Sequence, residues 1–317
     1  MGARYLLVLF GVYPVMRLAG ALLVAALCLR ADLPSGGRIP DLRLLPEATQ
    51  EAALRSLFAS AARTRGETPW VLVTGDSQVL GHTLEAAETF AGELARRLPE
   101  YAVLNAAKMG TDFRWVRAVL EAALADGRAP RALVFNANPQ KKTPRAPEPQ
   151  LAPGSLVLSL VASNETLAAV PALLSGDFYF RHPVRQAPGQ FHLVALPADF
   201  FPARLPAQDE SELRAILART AGTVPRVVVI LAPHDTAPYA GPPYAYAWDT
   251  EPVVARMREI CQSFAHATCL DAARSFDRRH FHDVVHLEAE AHRILGREVA
   301  RVLRAGTTGL AALSVEP

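Results

Sequence analysis

From Trp70 onward the chain alternates between short apolar runs of strand length and longer amphipathic runs of helix length. This alternation limits the possible folds more than any other feature of the sequence. The strand-like runs are Trp70–Thr74, Tyr101–Asn105, Arg131–Phe135, Arg226–Leu231 and Thr268–Asp271. Between them lie Thr83–Leu98, Phe113–Asp126, Asp209–Ala221, Pro252–Ala265 and Glu288–Ala305, each with apolar residues on one helical face. A strand with no polar alternate positions must be covered on both faces. The pattern therefore predicts an α/β fold with a parallel sheet between two helical layers. Sheets of this kind bind ligands beyond the carboxyl ends of their strands. Ser77, Gly110, Asn138 and the loop holding His234 all follow predicted strand ends, so they are placed to converge there.

Two regions depart from the alternation. Tyr5–Leu29 carries one charge, Arg17, and one proline, Pro14. Roughly 20 apolar residues suffice to span a bilayer, so residues 1–30 are expected to form an N-terminal membrane anchor. The competing reading is a long basic leader before the short apolar run Leu18–Leu29, as in a cleaved signal peptide. Large residues at Leu29 and Arg30 suit cleavage poorly. Arg4 and Arg17 on one side, against Arg30 and Asp32 on the other, favour, mildly, a single pass with the main domain outside the cytoplasm. Residues 31–68 read as a linker and approach helix, residues 69–305 as the main domain and residues 306–317 as a mobile tail. Within the domain, residues 139–206 are proline-rich and aperiodic, as expected of an insertion or lid.

Composition excludes some functions. Of 317 residues, 50% are apolar and 20% charged, which argues against extensive disorder. A net charge of +2 without a Lys/Arg block gives no case for nucleic acid. Cys28 falls in the apolar segment. Cys261 and Cys269 either pair in an oxidising compartment or remain two buried thiols; spacing alone leaves both open.

The chemistry centres on Gly75-Asp76-Ser77, which a strand delivers into a tight turn, and on the late Asp283-Val284-Val285-His286. A serine hydroxyl is a weak nucleophile and needs a base, usually an imidazole oriented by a carboxylate. Ser77 is the candidate nucleophile, His286 the base and Asp283 its orienting acid. Donors to a developing oxyanion are expected from the backbone at Ser77 and Gly110 and from the Asn138 side chain. Asp76, His234 and Trp248, the last beside Tyr244 and Tyr246, are candidate substrate contacts. The bunched His280, His282 and His286 with Asp283 raise a metal site as an alternative, but neither a helical His pair nor a cysteine ligand supports it. The serine chemistry requires no cofactor.

In chain order these residues resemble the SGNH (GDSL-type) hydrolase superfamily. Gly75-Asp76-Ser77 is similar to its first block, Gly110 to the second, Asn138 to the third, and Asp283 to His286 to the fifth. The resemblance covers roughly Trp70 to Ala305. It implies a flavodoxin-like three-layer α/β/α fold and the roles given above. Two departures stand out. Gln78 replaces the leucine that gives the GDSL group its name. In the third block Asn136 stands for the usual glycine and Pro139 for the acid, making Asn136 a competing oxyanion donor, although spacing favours Asn138. The polar residue after Ser77, the string Phe281-His282-Asp283-Val284-Val285-His286 and Ala232-Pro233-His234 also resemble the membrane-anchored acyl-transfer proteins of bacterial envelope polysaccharides. That resemblance implies an O-acyltransferase or O-acylesterase acting on an envelope or extracellular glycan, with a membrane-bound acyltransferase as partner. A general esterase or lipase of the same fold, and a catalytically silent scaffold, are the alternatives.

Overall fold

The computed structural model describes residues 47–81, 84–125, 127–140, 191–193, 196–306 and 308–313. The expected anchor at 1–30, the start of the linker, residues 141–190 of the insertion and residues 314–317 lie outside the described residues. No described helix is long and apolar enough to cross a membrane.

The chain divides into two compact units. One comprises Met1–Asp32, Pro40–Thr64 and Thr143–Arg185, and its described residues belong to helix α1 (Glu47–Arg65). The other comprises Leu33–Ile39, Arg65–Lys142 and Gln186–Pro317 and holds the predicted sheet. In chain order its elements are β1 (Trp70–Thr74), α2 (Ser77–Leu80), α3 (Phe90–Arg97), β2 (Ala102–Asn105), α4 (Phe113–Ala125) and β3 (Ala132–Ala137). After the insertion come α5 (Ala207–Thr220), β4 (Arg226–Leu231), α6 (Glu251–Gln262), β5 (Ala267–Asp271), α7 (Ala289–Ala305) and β6 (Gly309–Ala312).

Every strand pair is parallel, and the sheet order is β2-β1-β3-β4-β5-β6. The first five strands follow the flavodoxin-like order, whose topological switch point lies between β1 and β3. Ser77 follows β1 and Asn138 follows β3, so both sit at the crevice this topology opens. All residues of β1 and β3 are buried, as their unbroken apolar runs require. Helix α3 packs on α7, while α4, α5 and α6 pack in succession, giving the two outer layers.

Two expectations about element bounds are corrected. The helix expected over Thr83–Leu98 starts only at Phe90, because Thr89 caps it: the Thr89 hydroxyl accepts from the Gly92 N–H at 3.2 Å. Buried His292 of α7 adds a second cap there, its Nδ1 accepting from the Phe90 N–H at 3.1 Å. The tail expected to be mobile after Ala305 instead contributes β6, which pairs with β5 from Thr268↔Gly309 to Asp271↔Ala312. Its Gly-Leu-Ala-Ala sequence has no strand signature, since an edge strand with one buried residue needs little apolar patterning.

Cys261 of α6 and Cys269 of β5 are joined by a disulfide, with Cα atoms 6.0 Å apart. The bond closes a short loop between the fourth crossover helix and the strand it feeds. Constraining such a loop in the unfolded chain is worth roughly 2–3 kcal/mol in the chain-entropy model. The Cys261→Ala/Cys269→Ala pair is therefore expected to lower unfolding free energy by about that amount. Urea unfolding of oxidised wild type and the double variant measures it, and equal midpoints would contradict the expectation.

Candidate active site

The turn carrying Ser77 is built around a glycine. Gly75 has φ +142°, and a β-carbon there would collide with Asn136 Oδ1 and lie 2.7 Å from Val79 Cγ2. Only glycine lets β1 leave the sheet this close to β3. Asp76 then caps α2, its Oδ1 accepting from the Gln78 N–H at 3.0 Å. The same carboxylate accepts from Asn136 Nδ2 at 2.8 Å, Asn138 Nδ2 at 3.2 Å and Gln140 Nε2 at 3.3 Å. Asp76, expected as a substrate contact, is thus buried at the hub of a network that fixes the turn. A buried carboxylate requires such donors.

Asp283-Val284-Val285-His286 lies in a compact loop ahead of α7. His282 N donates to His286 O at 2.8 Å, and Glu288 N donates to His280 O at 2.9 Å. Val284 and Val285 anchor the loop by packing with Phe201 and Tyr239. Asp283 Oδ1 accepts from the backbone N–H of Val285 at 3.0 Å and of His286 at 2.9 Å. This frees Oδ2 to face the imidazole, 2.7 Å from His286 Nδ1. On the other side of the ring, His286 Nε2 lies 2.8 Å from Ser77 Oγ, across 209 positions of sequence. A carboxylate only accepts hydrogen bonds, so Nδ1 carries the proton, Nε2 is the acceptor and the serine hydroxyl donates to it. Burial by itself pushes the Asp283 carboxyl up. The His286 hydrogen bond and charge, with the two backbone N–H groups, outweigh burial and hold the carboxyl at about 2. It is ionised wherever the imidazole must carry a proton.

Three groups were expected to hold an oxyanion. The Ser77 N–H belongs to the first turn of α2, whose N–H groups lack intrahelical acceptors. Lys108 N donates to Gly75 O at 3.0 Å and Thr111 Oγ1 to the same oxygen at 3.3 Å, drawing the Gly110 loop against the Ser77 turn. Gly110 has φ +63°. The rival amides differ in their commitments. Asn136 Nδ2 donates to both Asp76 Oδ1 and Gln78 Oε1, at 2.8 and 3.4 Å, and its Oδ1 accepts from the Asp76 N–H. Asn138 Nδ2 spends one hydrogen on Asp76 and has a second to offer. That difference favours Asn138.

Two other expected substrate contacts have different partners. His234 Nε2 is 2.6 Å from Thr250 Oγ1 and Nδ1 is 3.1 Å from Ala232 O, so both ring nitrogens are engaged. Burial, the largest influence, lowers the His234 pKa. Trp248 packs on Phe200, Phe201, Tyr239 and Tyr246, and its indole N–H donates to Ala198 O at 2.6 Å. The ring expected to stack on a sugar therefore belongs to the aromatic cluster behind Val284 and Val285. The end of the insertion joins this support, with His192 N donating to His282 O at 2.7 Å. His280 Nδ1 lies 2.7 Å from Asp277. Among the described residues, no group of three His, Cys, Asp or Glu side chains converges as metal ligands. Sequence reasoning missed Gln78 as a site residue. Its side chain is buried beside the triad and donates to Pro233 O and Val285 O. A polar residue in a position that resembles a leucine position was the available signal.

No family model and no curated protein sequence matches the chain. Among solved structures, it is similar to a carbohydrate esterase family 2 enzyme with a carbohydrate-binding domain from Corynascus thermopiles (Myceliophthora fergusii). That match has 13% identity and a TM-score of 0.43, covering 75% of this chain and 66% of the other. A putative GDSL-like lipase from Parabacteroides merdae is 15% identical with a TM-score of 0.43, covering 76% and 97%. A catalytic mutant of an acetylxylan esterase from Geobacillus stearothermophilus is 14% identical with a TM-score of 0.42, covering 75% and 95%.

Proposed function

We propose that this chain is a serine-dependent O-acyl esterase or acyltransferase of the SGNH type. The observation that carries this reading is the unbroken relay from Ser77 Oγ through His286 to Asp283, with contacts of 2.8 and 2.7 Å. In the first half-reaction Ser77 Oγ bonds to the ester carbonyl carbon and its proton passes to His286 Nε2. Asp283 holds the resulting imidazolium. The tetrahedral oxyanion is met by the N–H groups of Ser77 and Gly110 and by Asn138. Collapse breaks the bond to the leaving alkoxide, which takes the proton from His286 and leaves an acyl ester on Ser77. In the second half-reaction His286 deprotonates an acceptor hydroxyl, which displaces Ser77. Water as acceptor gives hydrolysis, and a sugar hydroxyl gives transfer.

Placement in an envelope polysaccharide pathway is supported by the sequence resemblance around Ala232–His234 and Phe281–His286. The apolar segment Tyr5–Leu29 supports a single-pass anchor in the cytoplasmic membrane, and the Cys261–Cys269 disulfide suits an extracytoplasmic domain. A membrane-bound acyltransferase would then supply the acyl group. The test is incubation of the full chain with p-nitrophenyl acetate, with and without an oligosaccharide acceptor, followed by mass spectrometry of protein and products. We expect an acetyl adduct on Ser77 and release of acetate or acetylated sugar. Absence of both the adduct and p-nitrophenol release would refute the reading.

A further inference from the structure

We propose that Gln78 is a positioning residue for the base, tethering the His286 loop to the nucleophile turn. This rests on the serine-esterase reading above. Gln78 follows Ser77 directly and is 3% exposed. Its Nε2 lies 2.8 Å from Pro233 O and 2.6 Å from Val285 O. Two carbonyl oxygens at these distances demand donors, which fixes the amide with its NH2 toward them and Oε1 toward Asn136. One carboxamide therefore touches β3 at Asn136, the segment that follows β4 at Pro233 and the loop that holds the base.

The bond to Val285 O matters most. That oxygen belongs to the peptide unit whose N–H is that of His286, and this N–H donates to Asp283 Oδ1 at 2.9 Å. The peptide leading into the base is thus gripped from both ends, by Gln78 on its C=O and by Asp283 on its N–H. Ser77 and Gln78 are adjacent, as are Val285 and His286. The Gln78–Val285 bond therefore runs parallel to the Ser77–His286 bond, one residue away at each end. Asp283 sets the tautomer and direction of the ring, but it sits on the same loop and cannot set that loop's distance from Ser77. Gln78 is bonded to both sides of that gap. A leucine at this position offers packing without direction, and it leaves Val285 O without this donor.

The test compares wild type with Gln78→Met, which keeps the length and removes the donor, and Gln78→Glu, whose acid form keeps one donor. A fluorophosphonate probe reports serine activation: Ser77 Oγ bonds to phosphorus, fluoride leaves and the proton goes to His286. A low-field proton resonance reports the His286 Nδ1–H bond to Asp283 independently. For folded Gln78→Met we expect the labelling rate and kcat for p-nitrophenyl acetate to fall on the order of 10²-fold, as for a base misplaced by about an ångström. KM should change little and the low-field resonance should persist, because Asp283 moves with the loop. Gln78→Glu should fall between Met and wild type, which keeps the test open if Gln78→Met fails to fold. Labelling within about twofold of wild type in either folded variant, or labelling that falls only together with the resonance, would overturn the tether. Wild type that does not label at Ser77 would instead overturn the esterase reading, leaving no base for Gln78 to position.

Discussion

Ser77→Ala and His286→Ala are each expected to lower kcat/KM for a p-nitrophenyl ester by about 10⁴- to 10⁶-fold. The effect is large because nucleophile and base act as one unit: without Nε2 at 2.8 Å the hydroxyl keeps its proton, and without the hydroxyl the imidazole has nothing to activate. For the same reason the Ser77→Ala/His286→Ala double variant should lose little beyond either single variant. The stability of Ser77→Ala should hardly change. Ser77 Oγ contributes one side-chain bond, and the turn it sits on is set by Gly75, Asp76 and Asn136. Thermal unfolding within a few degrees of wild type, together with near-background turnover, is the expected pair of results. Near-normal turnover by folded Ser77→Ala would remove Ser77 from the chemistry.

The sheet was legible because its strands carry no polar alternates, so burial on both faces is written into β1, β3 and β4. Its edge was not. Gly309–Ala312 pairs through backbone groups alone, with a single buried side chain, and backbone pairing leaves no composition to read. The meeting of Ser77, His286 and Asp283 was legible from residue types and chain order, since a serine after the first strand and an Asp–x–x–His near the end are the parts that a relay needs. The surrounding roles were harder to read. Asp76, His234 and Trp248 were expected at the substrate because polar and aromatic residues near strand ends often are. Each instead has a partner within the protein: Asp76 the donors of the turn, His234 the Thr250 hydroxyl, and Trp248 the Ala198 carbonyl. Those partners lie up to 64 positions away in sequence, beyond any local pattern. Gln78 is the extreme case, reaching across 207 positions to Val285.

Asp283→Asn is expected to cost about 10³- to 10⁴-fold in kcat, less than loss of Ser77 or His286, through the wrong imidazole tautomer. Asp283 Oδ1 holds two backbone N–H groups, and an asparagine oxygen can replace it there. The asparagine NH2 must then face His286 Nδ1, which becomes an acceptor and moves the ring proton to Nε2. Ser77 Oγ is left opposite a donor. The same substitution should also change how stability depends on pH. The carboxyl is held at about 2 in the folded chain against an ordinary 3.8, so ionised Asp283 favours the folded state. A depressed carboxyl contributes stability that is fully present above its unfolded pKa and is lost as pH falls toward the folded one. Here the window runs from about pH 4 down to about pH 2, and the contribution is roughly 2 kcal/mol. Urea unfolding of wild type and Asp283→Asn should therefore show a gap at neutral pH that narrows across that window. Below its lower end both carry a neutral side chain at this position. A gap that stayed constant to pH 2 would show that the Asp283 charge is not held by His286 and the loop backbone, and the orienting role would fall with it.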